Sequence, residues 1–217
     1  MGAKIKGAGS SQIEIEGVKQ LKDVSYNIMS DRIEAGTFLC IAAMNHSNII
    51  VKNIDEDHII PIIDKLEEAG CEIQIEDRQI QIKAPKKLKS VNIKTMPYPG
   101  FPTDLGQPMS TLLTQCDGEC IFEETIYENR MRHIKHLNSM GADIKLFDKR
   151  AIIKGKTPLK GKEVIATDLR AGAAMLVAGM IADGTTIITN IEHILRGYEN
   201  IVGKLSDVGG IIKIEEI

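Results

Sequence analysis

The chain lacks tryptophan, and its four tyrosines and four phenylalanines make it only 4% aromatic over 217 residues. Packing must therefore rest on branched aliphatics: isoleucine alone occurs 35 times, a composition that suits strands. Long apolar runs are missing too, so nothing approaches a membrane span, and the start Met-Gly-Ala-Lys-Ile has no apolar signal region. Four cysteines without a secretion signal point to free thiols, and a cytoplasmic location is expected. An excess of either charge is also lacking. With 27 basic and 30 acidic residues the formal charge is −3, which leaves no overall electrostatic case for nucleic acid or an acidic membrane. There is no Walker loop, no serine nucleophile elbow, no paired CxxC and no HExxH, and Gly7-Ala8-Gly9 is too short for a dinucleotide loop. Neither cofactor nor metal is expected. The remaining composition, 43% hydrophobic and 26% charged, is that of a globular chain of one or two domains.

What is present is an internal repeat. An apolar residue, three residues and then Gly occur at Leu66 to Gly70, Leu137 to Gly141 and Leu205 to Gly209, each after apolar positions at helical spacing. Each Gly is expected to close a helix, because it accepts the left-handed turn after the last helical residue. Ile73, Ile144 and Ile212 follow inside alternating runs that read as strands leaving the helix, and a second strand is expected through Ile80 and Ile152. Leu88-Lys89 and Leu159-Lys160 come next, then strands at Val91 to Ile93 and Val164 to Ile165. A hydroxyl residue followed by Asp then opens a helix at Thr103-Asp104 and Thr167-Asp168, and Ser30-Asp31 matches them. Asp31-Arg32-Ile33-Glu34 has capping-box spacing, in which Asp31 accepts first-turn amides and Glu34 reaches back. The unit reads β-α-β-α-β-β with a period of about 70 residues, hence an α/β fold.

Met1-Gly2-Ala3-Lys4-Ile5 repeats Met140-Gly141-Ala142-Asp143-Ile144, and Ile13, Ile15 and Leu21-Lys22 keep the phase. The chain thus reads as starting at the last turn of a helix in an earlier unit, as half of a larger protein. The other reading is a natural start at Met1 with merely similar strands.

Helix N-termini offer unpaired amides and partial positive charge, so a set of similarly placed helix starts suits phosphate or carboxylate ligands. Arg130, Arg170 and Arg196 lie at element borders where a guanidinium fork can reach such an anion, although each taken singly also fits a surface ion pair. Pro99 and Pro102 stiffen the approach to Asp104, which could then serve as a general base or simply as a helix cap. Cys116, Cys120, His133 and His136 come near structural zinc spacing, but the histidine gap is one residue short and the repeat already gives these residues structural places. His193 and the Lys86-Lys87-Lys89 cluster read as solvated surface.

Phe101-Pro102-Thr103-Asp104, Glu128-Asn129-Arg130, Ala166-Thr167-Asp168-Leu169-Arg170-Ala171 and Arg196-Gly197-Tyr198-Glu199, in this order, resemble the second half of the UDP-N-acetylglucosamine enolpyruvyl transferase family. Asp31 to Thr37 resembles that family's hinge-side helix start, and the similarity runs along essentially all 217 residues. The resemblance implies an inside-out α/β barrel built from repeated βαβαββ units. Residues 1–29 would finish a first globule and residues 30–217 would form most of the second. It implies transfer of the enolpyruvyl group of phosphoenolpyruvate to the 3-hydroxyl of UDP-N-acetylglucosamine with release of phosphate, the first committed step toward peptidoglycan precursors.

Carried over, Asp104 would be the base facing the sugar hydroxyl, Arg130 and Arg170 would lie near the phosphoenolpyruvate carboxylate, and Arg196 near its phosphate. Asp168 would position groups or accept a proton during elimination, and Ile126 would offer backbone contact to the nucleotide sugar. Departures are Leu195, where family members commonly carry an Asp before the Arg, and Gly106 and Pro108. The family's catalytic loop Cys, with a Lys and an Arg that contact phosphoenolpyruvate, belongs to the first half, so Cys40, Cys71, Cys116 and Cys120 do not take that role. A missing N-terminal half is thus the expected partner, and the isolated chain should turn over little or nothing. Two other readings share the fold: an enolpyruvyl transferase acting on shikimate phosphate, and a non-catalytic remnant or split-gene module, favoured by Leu195 and the start within a unit.

Overall fold

A computed structural model describes residues 1–215. Residues 1–29 are exposed throughout; they hold one antiparallel pair, β1 (Lys4–Lys6) and β2 (Glu14–Glu16), in register Ile5 to Ile15. The amide of Lys22 returns to the Met1 carbonyl at 2.9 Å, in phase with the repeat. Ile5, Ile13, Ile15, Leu21 and Ile28 all face solvent.

The centre of the molecule is helical. Helix α1 (Arg32–Met44) starts where Asp31 accepts the amides of Ile33 and Glu34 at 2.8 and 3.1 Å, an N-cap that satisfies orphan donors. The reciprocal arm of a capping box does not form, because Glu34 pairs instead with Lys204 at 2.6 Å. Beyond the cap, Ala35, Leu39, Ala42 and Ala43 are good helix formers, and residues are buried on nearly every side, as befits a helix packed all round.

After α1 the chain runs through β3 (Asn48–Lys52), α2 (Ile60–Glu68), β4 (Glu72–Glu76) and β5 (Gln79–Lys83). These strands form an antiparallel sheet in the order β3-β5-β4. Asp77 and Arg78, both at positive φ, make the two-residue turn that sets Glu76 opposite Gln79. Alternation along β5 turns Ile80 and Ile82 inward.

Then come β6 (Leu88–Lys89), β7 (Ile93–Lys94), α3 (Gly106–Leu113), β8 (Cys116–Glu123), α4 (Ile134–Ser139), β9 (Asp143–Phe147) and β10 (Arg150–Gly155). The second sheet runs β6-β8-β10-β9, with β7 also beside β8. The chain continues through β11 (Glu163–Ile165), α5 (Leu169–Gly179), β12 (Ile187–Thr189), α6 (Glu192–Leu195) and α7 (Ile201–Asp207), with β11 and β12 parallel.

Helix α3 is buried at every position and α5 from Ala171 to Ala178. Helices α1, α3 and α5 pack on one another: Cys40 Sγ lies 4.0 Å from Met109 Sδ, and Thr111 Oγ1 lies 3.5 Å from the Ala174 carbonyl oxygen. A small residue likewise lets α6 approach α5; a Cβ on Gly172 would stand 2.6 Å from Ile194.

The three helix-closing glycines behave as expected: Gly70, Gly141 and Gly209 follow α2, α4 and α7 with φ of +98°, +110° and +93°. Two expectations change. Val91 is a buried loop residue, and the strand there is only Ile93–Lys94, set by parallel pairing to Phe122 and Glu123. The run after Gly209 forms no strand among the described residues, because Ile212 meets no partner strand to complete a ladder.

Candidate functional site

Asp104 lies in a single tight turn, Thr103–Leu105, just ahead of α3. Pro102, with φ −72°, holds the approach extended. The buried Leu105 anchors the exit against α1, and only glycine at position 36 leaves room for it: a Cβ there would lie 2.6 Å from the leucine Cδ1. The Asp104 carboxylate makes no capping bond, so the cap-only reading fails. Both of its oxygens face arginine instead. Arg130 Nη2 holds Oδ1, and Arg170 Nη2 donates to Oδ2 at 2.9 Å. The side chains of Arg130 and Arg170 are only 18% and 19% exposed and that of Asp104 36%, so these pairs are less screened than fully exposed ones.

Each arginine has its own support. Arg130 stacks on the Tyr127 ring, 4.6 Å from its centroid, and its backbone carbonyl accepts from Gln107 Nε2 at 3.2 Å. Arg170 occupies the first turn of α5, where Asp168 Oδ1 accepts the amides of Arg170 and Ala171, both at 2.9 Å. One residue therefore caps the helix through Oδ1, while its second oxygen, Oδ2, lies 3.5 Å from Thr167 Oγ1. The Tyr198 hydroxyl is 2.9 Å from Thr37 Oγ1, and Thr37 sends its own proton to the Ile33 carbonyl at 2.8 Å. The phenol must then donate to Thr37. It lies close to both Arg170 and Asp31, and burial pushes its pKa up. Thus the starts of α1, α3 and α5 converge around Asp104, Asp31 and Arg170.

Beside this convergence opens a cleft of ≈ 370 Å³ lined by Arg130, Arg132, Arg170, Arg196, Asp168 and Tyr127, among others. Four guanidinium groups face one carboxylate on its wall. Arg132 and Arg196 make no ion pair among the described residues, so they offer free forks to an anion. Leu195, at the end of α6, is 44% exposed and supplies no carboxylate beside Arg196.

Of the residues singled out from sequence, Asp104, Arg130 and Arg170 form one ion-paired cluster, and Asp168 and Arg196 share the cleft wall with those two arginines. Ile126 lies off the cleft lining, and its amide is taken by Glu124 Oε1 at 2.7 Å, which leaves its carbonyl as the available backbone group. Three residues of the zinc-like spacing have other partners. His133 is fully buried with Nε2 2.6 Å from Ser110 Oγ, and burial lowers its pKa to about 4, whereas Cys116 and Cys120 point at the Leu112 and Leu113 carbonyls. Sequence reading missed Tyr127, Arg132 and Glu124. Tyr127 carried a signal, an aromatic three residues before an arginine; Glu124 stood beside Glu123 with nothing to tell them apart.

The chain matches, over residues 1–205, the family described as EPSP synthase (3-phosphoshikimate 1-carboxyvinyltransferase). It is 49% identical over 213 residues to the UDP-N-acetylglucosamine 1-carboxyvinyltransferase of Halothermothrix orenii, covering 98% of this chain and 51% of that protein. A Bacillus cereus protein named UDP-N-acetylglucosamine 1-carboxyvinyltransferase 2 is 47% identical over 217 residues, again 51% of its length. The chain spans about half the length of the curated relatives it matches. Among solved structures, the enolpyruvyl transferase NikO from Streptomyces tendae superposes with a TM-score of 0.85 at 25% identity, covering 98% of this chain and 51% of that one. EPSP synthase from Acinetobacter baumannii shares the fold, with a TM-score of 0.78 at 19% identity over 99% of this chain and 53% of that one. The chain belongs to the EPSP synthase family of enolpyruvyl transferases.

Proposed function

We propose that this chain carries the acceptor-side and anion-binding half of an enzyme that moves the enolpyruvyl group of phosphoenolpyruvate to the 3-hydroxyl of UDP-N-acetylglucosamine, in the cytoplasm. The observation that carries this reading is Asp104 held between Arg130 and Arg170 beside an arginine-lined cleft. Relatives named for the nucleotide sugar, at 45–49% identity, favour it over shikimate phosphate as acceptor.

Phosphoenolpyruvate brings a carboxylate and a phosphate to this wall. Its carboxylate competes with Asp104 for the forks of Arg130 and Arg170, and Arg196 takes the phosphate. Once its oxygens are released from the arginines, Asp104 accepts the proton of the sugar hydroxyl as the new C–O bond forms at C2 of phosphoenolpyruvate, while C3 takes a proton from a general acid that the first half would supply. Elimination then expels phosphate and removes a proton from C3, for which Asp168, on the cleft wall, is the acceptor this chain offers. Ile126 presents its carbonyl to the acceptor.

The fold is read as the inside-out α/β barrel of recurring βαβαββ units over residues 30–217, with residues 1–29 belonging to a neighbouring globule. Three buried helices inside the sheets and the recurring helix-closing glycines support this reading. The exposed apolar side chains of residues 1–29 suit burial against a first-half partner.

Equilibrium titration of the chain with UDP-N-acetylglucosamine and, separately, with shikimate 3-phosphate tests the assignment. Saturable binding of the nucleotide sugar, strengthened by phosphoenolpyruvate, is expected. Binding of shikimate 3-phosphate alone would overturn it.

A further inference from the structure

Glu124 follows β8 and is 1% exposed. Its carboxylate meets no cation among the described residues; four neutral donors surround it instead. Oε1 accepts from Thr95 Oγ1 at 2.8 Å and from the amides of Ile126 and Tyr127 at 2.7 and 3.1 Å, while Oε2 accepts from Thr103 Oγ1 at 2.7 Å. A carboxylate this deeply buried is costly unless donors replace its lost water, and here they come from three separate segments. Thr95 follows β7, Thr103 sits in the turn that carries Asp104, and the two amides open the loop that leads to Arg130.

We propose that Glu124 is a positioning residue for the transfer, its two oxygens yoking the turn that carries Asp104 to the loop that carries Ile126, so that the acceptor sugar and its base stand in fixed register. The proposal rests on the roles given above to Asp104 and Ile126. It also explains why Ile126 offers its carbonyl rather than its N–H. With the amide held on Oε1, the acceptor must supply the donor.

The choice of variant follows from the donor pattern. Glu124→Gln is a mild change, since an amide oxygen in the place of Oε1 keeps three donors and the new NH₂ can donate to the Thr103 hydroxyl. Thr103→Val cuts the Oε2 arm while keeping the size of the side chain. The full chain and both variants are titrated with UDP-N-acetylglucosamine and with inorganic phosphate, and amide exchange is followed at Ile126 and Tyr127.

Thr103→Val is expected to weaken the nucleotide sugar about tenfold and leave phosphate within about twofold. It should also speed exchange at Ile126 and Tyr127, whose amides are linked to the Thr103 hydroxyl through the Glu124 carboxylate. Glu124→Gln should lose less than Thr103→Val but more than nothing, since the amide keeps three donors and must reverse the fourth. Unchanged exchange in Thr103→Val, or equal loss of both ligands, overturns the proposal. Failure of the unmutated chain to bind the nucleotide sugar would sink the substrate assignment and this role with it, and it is recognised because no variant is involved.

Discussion

Arg170 Nη2 stands 2.9 Å from Asp104 Oδ2, joining the first turn of α5 to a turn 66 residues earlier in the chain. Arg130 takes the other oxygen. The carboxylate is therefore placed by partners from two distant segments, and the same forks are what an incoming substrate carboxylate would seek. In the proposed function base and anion site are one cluster, so that occupancy of the site by an anion and release of the base would be coupled.

Asp168 caps α5, and substitution can separate that cap from the role proposed for its charge. Asn caps a helix about as well as Asp, so Asp168→Asn should leave the thermal midpoint nearly unchanged while abolishing the charge on Oδ2. Asp168→Ala should lose about 1 kcal/mol of stability as well. Paired thermal melts and phosphoenolpyruvate titrations check this; equal destabilisation by both changes contradicts the division.

Arg196 has no acidic partner among the described residues, so its removal leaves no buried charge behind. Arg196→Ala should weaken inorganic phosphate by about tenfold with little change in melting, and Arg196→Lys should recover only part of the loss because an ammonium lacks the fork. Isothermal calorimetry reads the affinities. Full recovery with Lys would show that charge alone matters.

His133 makes stability depend on pH. Burial lowers its pKa from 6.5 to about 4, so the folded chain keeps it neutral while the unfolded chain charges it first. Between these values the unfolded state binds more protons, and stability therefore falls as pH drops, fully present above about 6.5 and lost on approaching 4. The loss amounts to about 3 kcal/mol at 1.36 kcal/mol per unit. Urea midpoints at pH 7 and pH 4.5 should drop more steeply for the natural chain than for His133→Gln; parallel slopes would contradict the burial argument.

Much of this was readable from residues alone, and the failures have physical causes. Gly70, Gly141 and Gly209 marked helix ends because only a positive φ needs glycine there. Asp31 showed as a cap, and Thr167-Asp168 as a helix start, because capping is a local interaction within three residues. Asp104 shares their sequence setting yet caps nothing, since its partners arrive from residues 130 and 170; a long-range ion pair leaves no local mark. The Glu34 arm was misjudged for the same reason, because Lys204 outcompetes a backbone amide. Glu124 was invisible, its neighbour Glu123 being an ordinary half-buried partner of Lys94 at 2.9 Å.

The most direct measurement joins this chain behind the first half of the Halothermothrix orenii relative and follows phosphate release from phosphoenolpyruvate with UDP-N-acetylglucosamine present. The folded chimaera should release phosphate only with both substrates, and Asp104→Asn should cut the rate by about 10²- to 10⁴-fold. A folded chimaera that releases none, or one whose rate ignores Asp104, would contradict the account.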